Sequence, residues 1–115
     1  MARYHSYTVW KIGIEIVKET QLDIVKLKGE ADLRDQMKRS SRSIVANICE
    51  GSERRSDKEL RQFLTMARGS AGELLSWYEV IAALGFISDE RLEFISDRID
   101  HVIKALTRFI GRLSG

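Results

Sequence analysis

Basic side chains concentrate in the middle of this sequence, where they offer the chemistry needed to bind phosphate groups. Between Arg34 and Arg68 there are nine lysines and arginines but five aspartates and glutamates, a net charge of +4 against +2 for all 115 residues. Lys38 and Arg42 are four residues apart, so they share one face of a helix. Such a surface can bind nucleic acid, and a solvated helix face with ordinary ion pairs is the alternative. The candidate residues are Arg34, Lys38, Arg39, Arg42, Arg54, Arg55, Lys58 and Arg61.

A second set of polar residues recurs at helical spacing beside an apolar stripe. Gln36, Ser40, Ser43 and Asn47 follow one another at intervals of four, three and four. Buried polar groups need hydrogen-bond partners, so we interpret this seam as a network that joins the second helix to the third or to a neighbouring subunit. A ligand or partner site is the alternative. The predicted network comprises Gln36, Ser43, Asn47, Glu50, Ser70 and Glu73.

Two glycines fall inside the predicted third helix, where glycine is unfavourable. Gly69 and Gly72 each cost about 1 kcal/mol relative to alanine in a helix interior. A close approach of another helix would explain them, and a binding groove is the alternative.

The residue types that catalysis or metal binding requires are sparse. His5 and His101 are the only histidines, and His101 follows Asp97 by four residues, a spacing typical of a surface ion pair as well as of a metal contact. Cys49 has no histidine base nearby in the sequence and is expected to be a buried thiol. The Glu-x-x-His pairs of di-iron bundles are missing, as is a phosphate-binding glycine loop. The sequence therefore predicts no catalytic residue, no metal and no cofactor.

Hydrophobic periodicity predicts four helices, at about residues 7–20, 30–50, 57–84 and 89–113. The third opens with a capping box from Ser56 to Glu59, and Gly85 followed by Phe86 fits its end. Ser88 caps the fourth helix, whose apolar residues then alternate spacings of three and four. Residues 21–29 do not continue the first stripe, so we expect a helix end and a partly buried connection there. An antiparallel up-down four-helix bundle is the predicted fold, with a three-helix core plus a helical arm as the alternative.

Composition is that of a single globular domain spanning residues 1–115. Hydrophobic residues make up 43% and charged residues 31%, and there is no proline to interrupt long helices. One cysteine cannot form an intramolecular disulfide, which favours a reducing cytoplasm. No apolar stretch approaches the length of a membrane helix, and the first ten residues lack the features of a signal peptide.

Two segments carry a resemblance to a known family. They are QMKRSSRSIVANICEG at residues 36–51 and FLTMARGSAGEL at residues 63–74. Together they resemble the four-helix bundle proteins encoded within intervening sequences of 23S ribosomal RNA genes, a family that includes the accessory variability determinant of diversity-generating retroelements. The resemblance runs from about Tyr7 to Leu113. Cys49 departs from it, since a small residue such as alanine is usual there.

The resemblance implies an antiparallel bundle that assembles into a homopentamer, a barrel with a central channel. In the retroelement branch it implies a basic partner of a reverse transcriptase and of nucleic acid. We therefore expect a non-enzymatic, self-assembling bundle that binds RNA or DNA, with a protein partner such as a reverse transcriptase. The alternative is a scaffold that binds proteins and no nucleic acid. An enzyme or small-ligand carrier would need a buried concave site, which the sequence does not indicate.

Overall fold

A computed structural model of the chain describes Tyr4 and residues 7–113, and within these residues the backbone forms four α-helices and no strand. They are α1 (Thr8–Ile24), α2 (Ala31–Ser52), α3 (Asp57–Ala83) and α4 (Asp89–Arg112). The connections have six, four and five residues, which is short enough to make each helix antiparallel to the one before it. The structure thus confirms the predicted all-α, antiparallel up-down four-helix bundle.

The helices are arranged as a square in chain order. Each helix packs against its neighbours in sequence, and α1 also packs against α4. Over the described residues, no close backbone approach joins the diagonal pairs α1 and α3 or α2 and α4. The bundle measures 44 × 22 × 22 Å. It follows that the side formed by α1 and α2 faces away from the side formed by α3 and α4.

Local signals set the helix ends as the sequence predicts. The Ser56 hydroxyl accepts from the Glu59 amide at 3.2 Å, and the Ser88 hydroxyl accepts from the Arg91 amide at 3.0 Å. Gly85 has a φ of +84°, and the Phe86 amide donates to the Ile81 carbonyl at 2.9 Å. This is the bonding of a Schellman motif, which ends α3.

The first helix ends four residues later than the sequence predicts, because it continues past Thr20 to Ile24. Its last core positions are held by Thr20 and Asp23, which are 1% and 0% exposed. These polar residues interrupt the apolar stripe, so periodicity alone places the helix end too early. The connection that follows is partly buried as expected, since Leu27 is fully buried.

Asp23 is held by side chains from two other helices. Its carboxylate accepts from the Tyr78 hydroxyl at 2.7 Å and from the Arg91 guanidinium at 2.8 and 3.0 Å. The Tyr78 hydroxyl also lies 3.1 Å from the Thr20 hydroxyl, and Arg91 forms a second ion pair with Glu19 at 2.9 Å. We call Thr20, Asp23, Tyr78 and Arg91 the Asp23 network. It fixes α1 relative to α3 across the core and relative to α4 beside it.

The surroundings of Tyr78 and Arg91 change their proton affinities. Burial, followed by the hydrogen bond to Asp23, raises the pKa of the Tyr78 hydroxyl far above its ordinary value. The hydrogen bond to Asp23 is the main cause that raises the pKa of the Arg91 guanidinium. Both shifts favour the protonated forms that the network needs.

We expect Asp23→Asn to lower the free energy of unfolding by about 3 kcal/mol, because Arg91 then loses its buried anion. Denaturant unfolding followed by helical circular dichroism measures this change. Asp35→Asn is the matched control, because it makes the same substitution at an exposed position of α2. Its effect should stay within about 0.5 kcal/mol. Equal effects of the two substitutions would contradict a structural role for the network.

A second prediction concerns alkaline pH. Because the pKa of Tyr78 is raised in the folded state, the unfolded chain releases this proton first as pH rises above the ordinary tyrosine value of about 10. The stability advantage of the native chain over Tyr78→Phe should therefore be constant below pH 10 and shrink above it. Unfolding curves of both proteins, measured at the same pH values across this range, test the prediction. Titratable groups that the two proteins share contribute equally to both and cancel in the difference. An advantage that stays unchanged well above pH 10 would rule out this linkage.

Candidate nucleic-acid interface

Arg34 and Arg54, which belong to the eight predicted phosphate-binding residues, make contacts within the chain at the two ends of α2. The Arg34 guanidinium donates to the carbonyl of Leu27 and so holds the connection between α1 and α2. Arg54 pairs with Glu50 at 2.5 Å and lies over the Phe63 ring, 4.8 Å from its centroid. Their contacts give both arginines a packing role at the ends of α2, and neither guanidinium is free to meet a phosphate.

Three others lie together on the outer surface of α2. Lys38, Arg39 and Arg42 are exposed, and with Asp35, Ser43 and Ala46 they line an open depression of about 590 Å³. We call Lys38, Arg39 and Arg42 the α2 face. A single helix lines the depression, so it is an open surface and not an enclosed site. The nearest polar contact of this group is weak, with Arg42 Nη2 3.4 Å from the Gln21 side-chain oxygen.

The remaining predicted residues surround the turn between α2 and α3. Arg55 and Lys58 are exposed there, whereas Arg61 is half-buried and engaged within the chain. Arg42 lies ten residues, or about 15 Å, before the end of α2 at Ser52, and Arg55 lies in the turn beyond that end. The continuous basic stretch of the sequence is therefore two separate surfaces.

The end of α4 adds three cations that the sequence interpretation missed. Lys104, Arg108 and Arg112 are spaced by four and are all exposed, so they form one row on the outside of α4. Because α4 ends where α3 begins, this row lies at the same end of the bundle as Arg55 and Lys58. The spacing of four residues in the sequence could have predicted this row. We call the following five residues the basic end: Arg55, Lys58, Lys104, Arg108 and Arg112.

No ion pair in the described part of the chain involves the basic end. Arg112 has a contact of another kind, since its guanidinium lies 5.9 Å from the centroid of the Phe109 ring. Nearby, Arg68 is bonded to the Thr107 hydroxyl at 3.3 Å. The basic end is consequently a cluster of solvated cations available to phosphate groups.

The predicted polar network is present in part, between α2 and α3. The Ser43 and Ser70 hydroxyls are 2.8 Å apart, and the Asn47 amide donates to the Ser43 carbonyl at 2.8 Å and to its hydroxyl at 3.0 Å. Glu73 instead accepts from the Trp77 indole at 3.3 Å. Ser43, Asn47 and Ser70 thus join two helices, as the packing interpretation expects.

The other two predicted members lie outside that set of bonds. Glu50 pairs with Arg54. The backbone carbonyl of Gln36 accepts from the Ser40 hydroxyl, and its side chain borders a small depression of about 140 Å³ with Arg39, Ser43, Ser70 and Glu73.

The glycines of α3 do not meet another helix of the chain. A Cβ atom built on Gly69 or Gly72 would have nothing within 4 Å, and both positions are exposed. The expected close approach is therefore absent within the described chain.

Comparison with known proteins assigns the chain to a family. The family model described as 23S rRNA-intervening sequence protein matches residues 5–108. The chain belongs to this family. It is also similar to a crystal structure of a protein with unknown function from the S23 ribosomal protein family of Bacteroides thetaiotaomicron. That structure is 25% identical, superposes with a TM-score of 0.82, and the match covers 90% of this chain and 98% of the other. No curated protein matches the chain.

In this member of the family, the residues that carry the resemblance mainly pack helices. Ile44 and Ile48 are fully buried, Ser43 bonds to Ser70 of α3, and Asn47 bonds to Ser43 within α2. A Cβ on Gly51 would come within 2.9 Å of the Phe63 Cβ, so the two helices approach closely beside their turn. The first motif therefore specifies the pairing of α2 with α3.

Metal-binding clusters and membrane-spanning helices are absent from the part of the chain that the structure describes. The described residues contain no group of three or more histidine, cysteine, aspartate or glutamate side chains that could hold a metal ion. Asp97 and His101 are exposed, Cys49 is half-buried, and His5 lies outside the described residues. None of the four helices, over the residues described, has the length and apolarity needed to cross a bilayer.

We expect the hydroxyls of Ser43 and Ser70 to be coupled. Ser43→Ala and Ser70→Ala should each destabilise the chain, and the double variant should lose about 1 kcal/mol less than the sum of the two. Unfolding free energies of the four proteins in the cycle measure this coupling. A cycle of Ser43 with exposed Ser76 is the control and should show none. Additive effects at Ser43 and Ser70 would mean that their contact does not join the helices energetically.

Proposed function

We propose that this family member is a non-enzymatic, self-associating bundle that binds RNA or DNA through its basic end. The observation that carries the proposal is the gathering of five exposed cations, none in an ion pair of the described chain, at one end of a bundle whose net charge is only +2. Nucleic acids present closely spaced phosphates, and release of their counterions makes such contacts favourable.

The arrangement of these cations suits a backbone-directed contact. They come from the turn before α3, from the first turn of α3 and from the last nine residues of α4, across an end about 22 Å wide. Lysine and arginine side chains that extend into solvent contact phosphates without reading base edges. We therefore expect binding that depends strongly on salt and weakly on sequence.

Self-association would multiply this surface. The resemblance noted above implies a homopentamer, and five linked copies bind a long polyanion far more tightly than one copy does. The same resemblance supports a protein partner, such as a reverse transcriptase in the retroelement branch. Self-association and a protein partner are both part of the proposal.

The alternative is a scaffold that binds only proteins. Two observations favour it: the cationic surfaces are open, and Arg54, Arg91 and Arg98 are used in ion pairs inside the chain. In that case the exposed charges serve only solubility.

Arg108→Glu tests the proposal against Lys28→Glu. Both residues are exposed, both substitutions change the charge equally, and Lys28 lies at the opposite end of the bundle. We expect Arg108→Glu to weaken binding to a labelled RNA hairpin or DNA duplex by about tenfold at low salt and to lower the salt slope by about 1. Lys28→Glu should change neither quantity.

Titration of fluorescence anisotropy over a range of salt concentrations measures both values. Equal affinities of the two variants would show that the basic end is not the contact. No binding by the native chain even at low salt would leave the scaffold as the function.

A further inference from the structure

Two exposed groups of opposite charge lie outside the basic end. One is the α2 face, Lys38, Arg39 and Arg42. The other is on the first half of α4, where the carboxylates recur at spacings of three, four and three and are all exposed. We call this second group the α4 acidic face: Glu90, Glu93, Asp97 and Asp100. No ion pair within the described residues includes a member of either group.

The two faces lie on opposite sides of the bundle, because α2 and α4 are diagonal in the square. They also lie at the same level along its axis. Both helices begin at the same end, and Lys38 and Arg42 come seven and eleven residues after Ala31. Glu93 and Asp100 come four and eleven residues after Asp89. At 1.5 Å per residue, the α2 face lies about 10–17 Å from that end and the α4 acidic face about 2–17 Å, so the two overlap in level.

Side-chain size is complementary as well. Beside the α2 face, Val17, Leu22 and Arg42 help to line a groove of about 440 Å³, and Leu22 is 61% exposed. Beside the α4 acidic face, Gly72 and Ser76 leave the outer surface of α3 nearly flat, with open space around Gly72. An exposed leucine therefore accompanies the bases, and a glycine and a serine of α3 lie beside the acids.

We propose that the α2 face of one copy binds the α4 acidic face of a second copy of this chain. Charge complementarity identifies the occupant, since the chain itself carries the matching acids, unpaired and at the same level. In this contact, the edge of the groove around Leu22 packs against the small side chains of α3 in the second copy. Gly72 then has the close helix neighbour that it lacks within its own chain. This inference rests on the self-association proposed above and assigns its surfaces.

The contact joins two different surfaces, so it is heterologous and propagates from copy to copy. Because the two surfaces overlap in level along the bundle axis, successive copies lie side by side with little rise, and a rotation from each copy to the next would close the array as a ring. All basic ends then point to the same rim of the ring. The α2 face therefore mediates assembly, and the basic end binds nucleic acid.

Charge reversal tests the pairing through a mixture of two variants. Lys38→Glu with Arg42→Glu makes the α2 face net negative, so both faces are acidic. Glu93→Lys with Asp97→Lys brings the net charge of the α4 acidic face to zero and places two lysines at its centre. Each double variant alone should sediment as the 13.2 kDa monomer at low salt. An equimolar mixture should regain the mass of the native assembly, because the introduced glutamates of one variant then meet the introduced lysines of the other. The substituted residues are exposed, and circular dichroism confirms that both variants fold.

The matched control is Lys104→Glu with Arg108→Glu, which makes the same charge change on α4 within the basic end. It should keep the native mass while losing nucleic-acid binding, and Lys38→Glu with Arg42→Glu should show the reverse.

Three results would overturn the pairing: a native-like mass for either double variant, a mixture that stays monomeric, or loss of nucleic-acid binding with assembly intact in the α2 variant. The last result would show that the α2 face binds nucleic acid. A native chain that is monomeric at low salt would remove self-association itself. Failure of nucleic-acid binding alone would leave the pairing standing.

Discussion

A carboxylate with no access to water sets the geometry of this bundle. Asp23 is 0% exposed, and an isolated buried charge would be too costly to persist. It survives because Arg91 supplies the opposite charge and the Tyr78 hydroxyl supplies a further hydrogen bond. These partners are directional, unlike apolar contacts, so they admit one rotation and one axial position of α1 against α3 and α4. The level of the α4 acidic face relative to α1 and α3 depends on that alignment.

Periodicity and capping signals were sufficient for most of the fold, because they are local. The Ser56 and Ser88 caps, the end of α3 at Gly85 and the apolar stripe of α4 all follow from residues within a few positions of one another. The end of α1 is different. Thr20 and Asp23 look like surface residues in the sequence, and their partner Tyr78 is more than fifty residues away. Only the folded chain shows that they occupy core positions.

The candidate interface was predictable as a charge excess but not as a surface. Arg34 and Arg54 contribute to the excess, yet the Leu27 carbonyl and the Glu50 carboxylate occupy them. The row from Lys104 to Arg112 was overlooked because acids and bases are equal in number over the whole of α4, so its net charge is zero. The net charge of a helix does not show how its charged residues are distributed along it. The segregation of charge along α4 follows partly from the helix dipole, which favours acids at the start and bases at the end.

That segregation also explains how one small bundle can present two charge-dependent surfaces with little interference. At physiological ionic strength the Debye length is about 8 Å, whereas Arg42 of the α2 face lies about 15 Å from the end of α2 that precedes the turn at Arg55. A polyanion on the basic end is therefore largely screened from the α2 face. On α4 the two surfaces adjoin, because Lys104 follows Asp100 by four residues, about 6 Å along the helix. Both interactions weaken as salt rises, so salt dependence alone does not distinguish them. Their physical separation along the helices does, because a charge reversed at Arg42 and one reversed at Arg108 act on different surfaces.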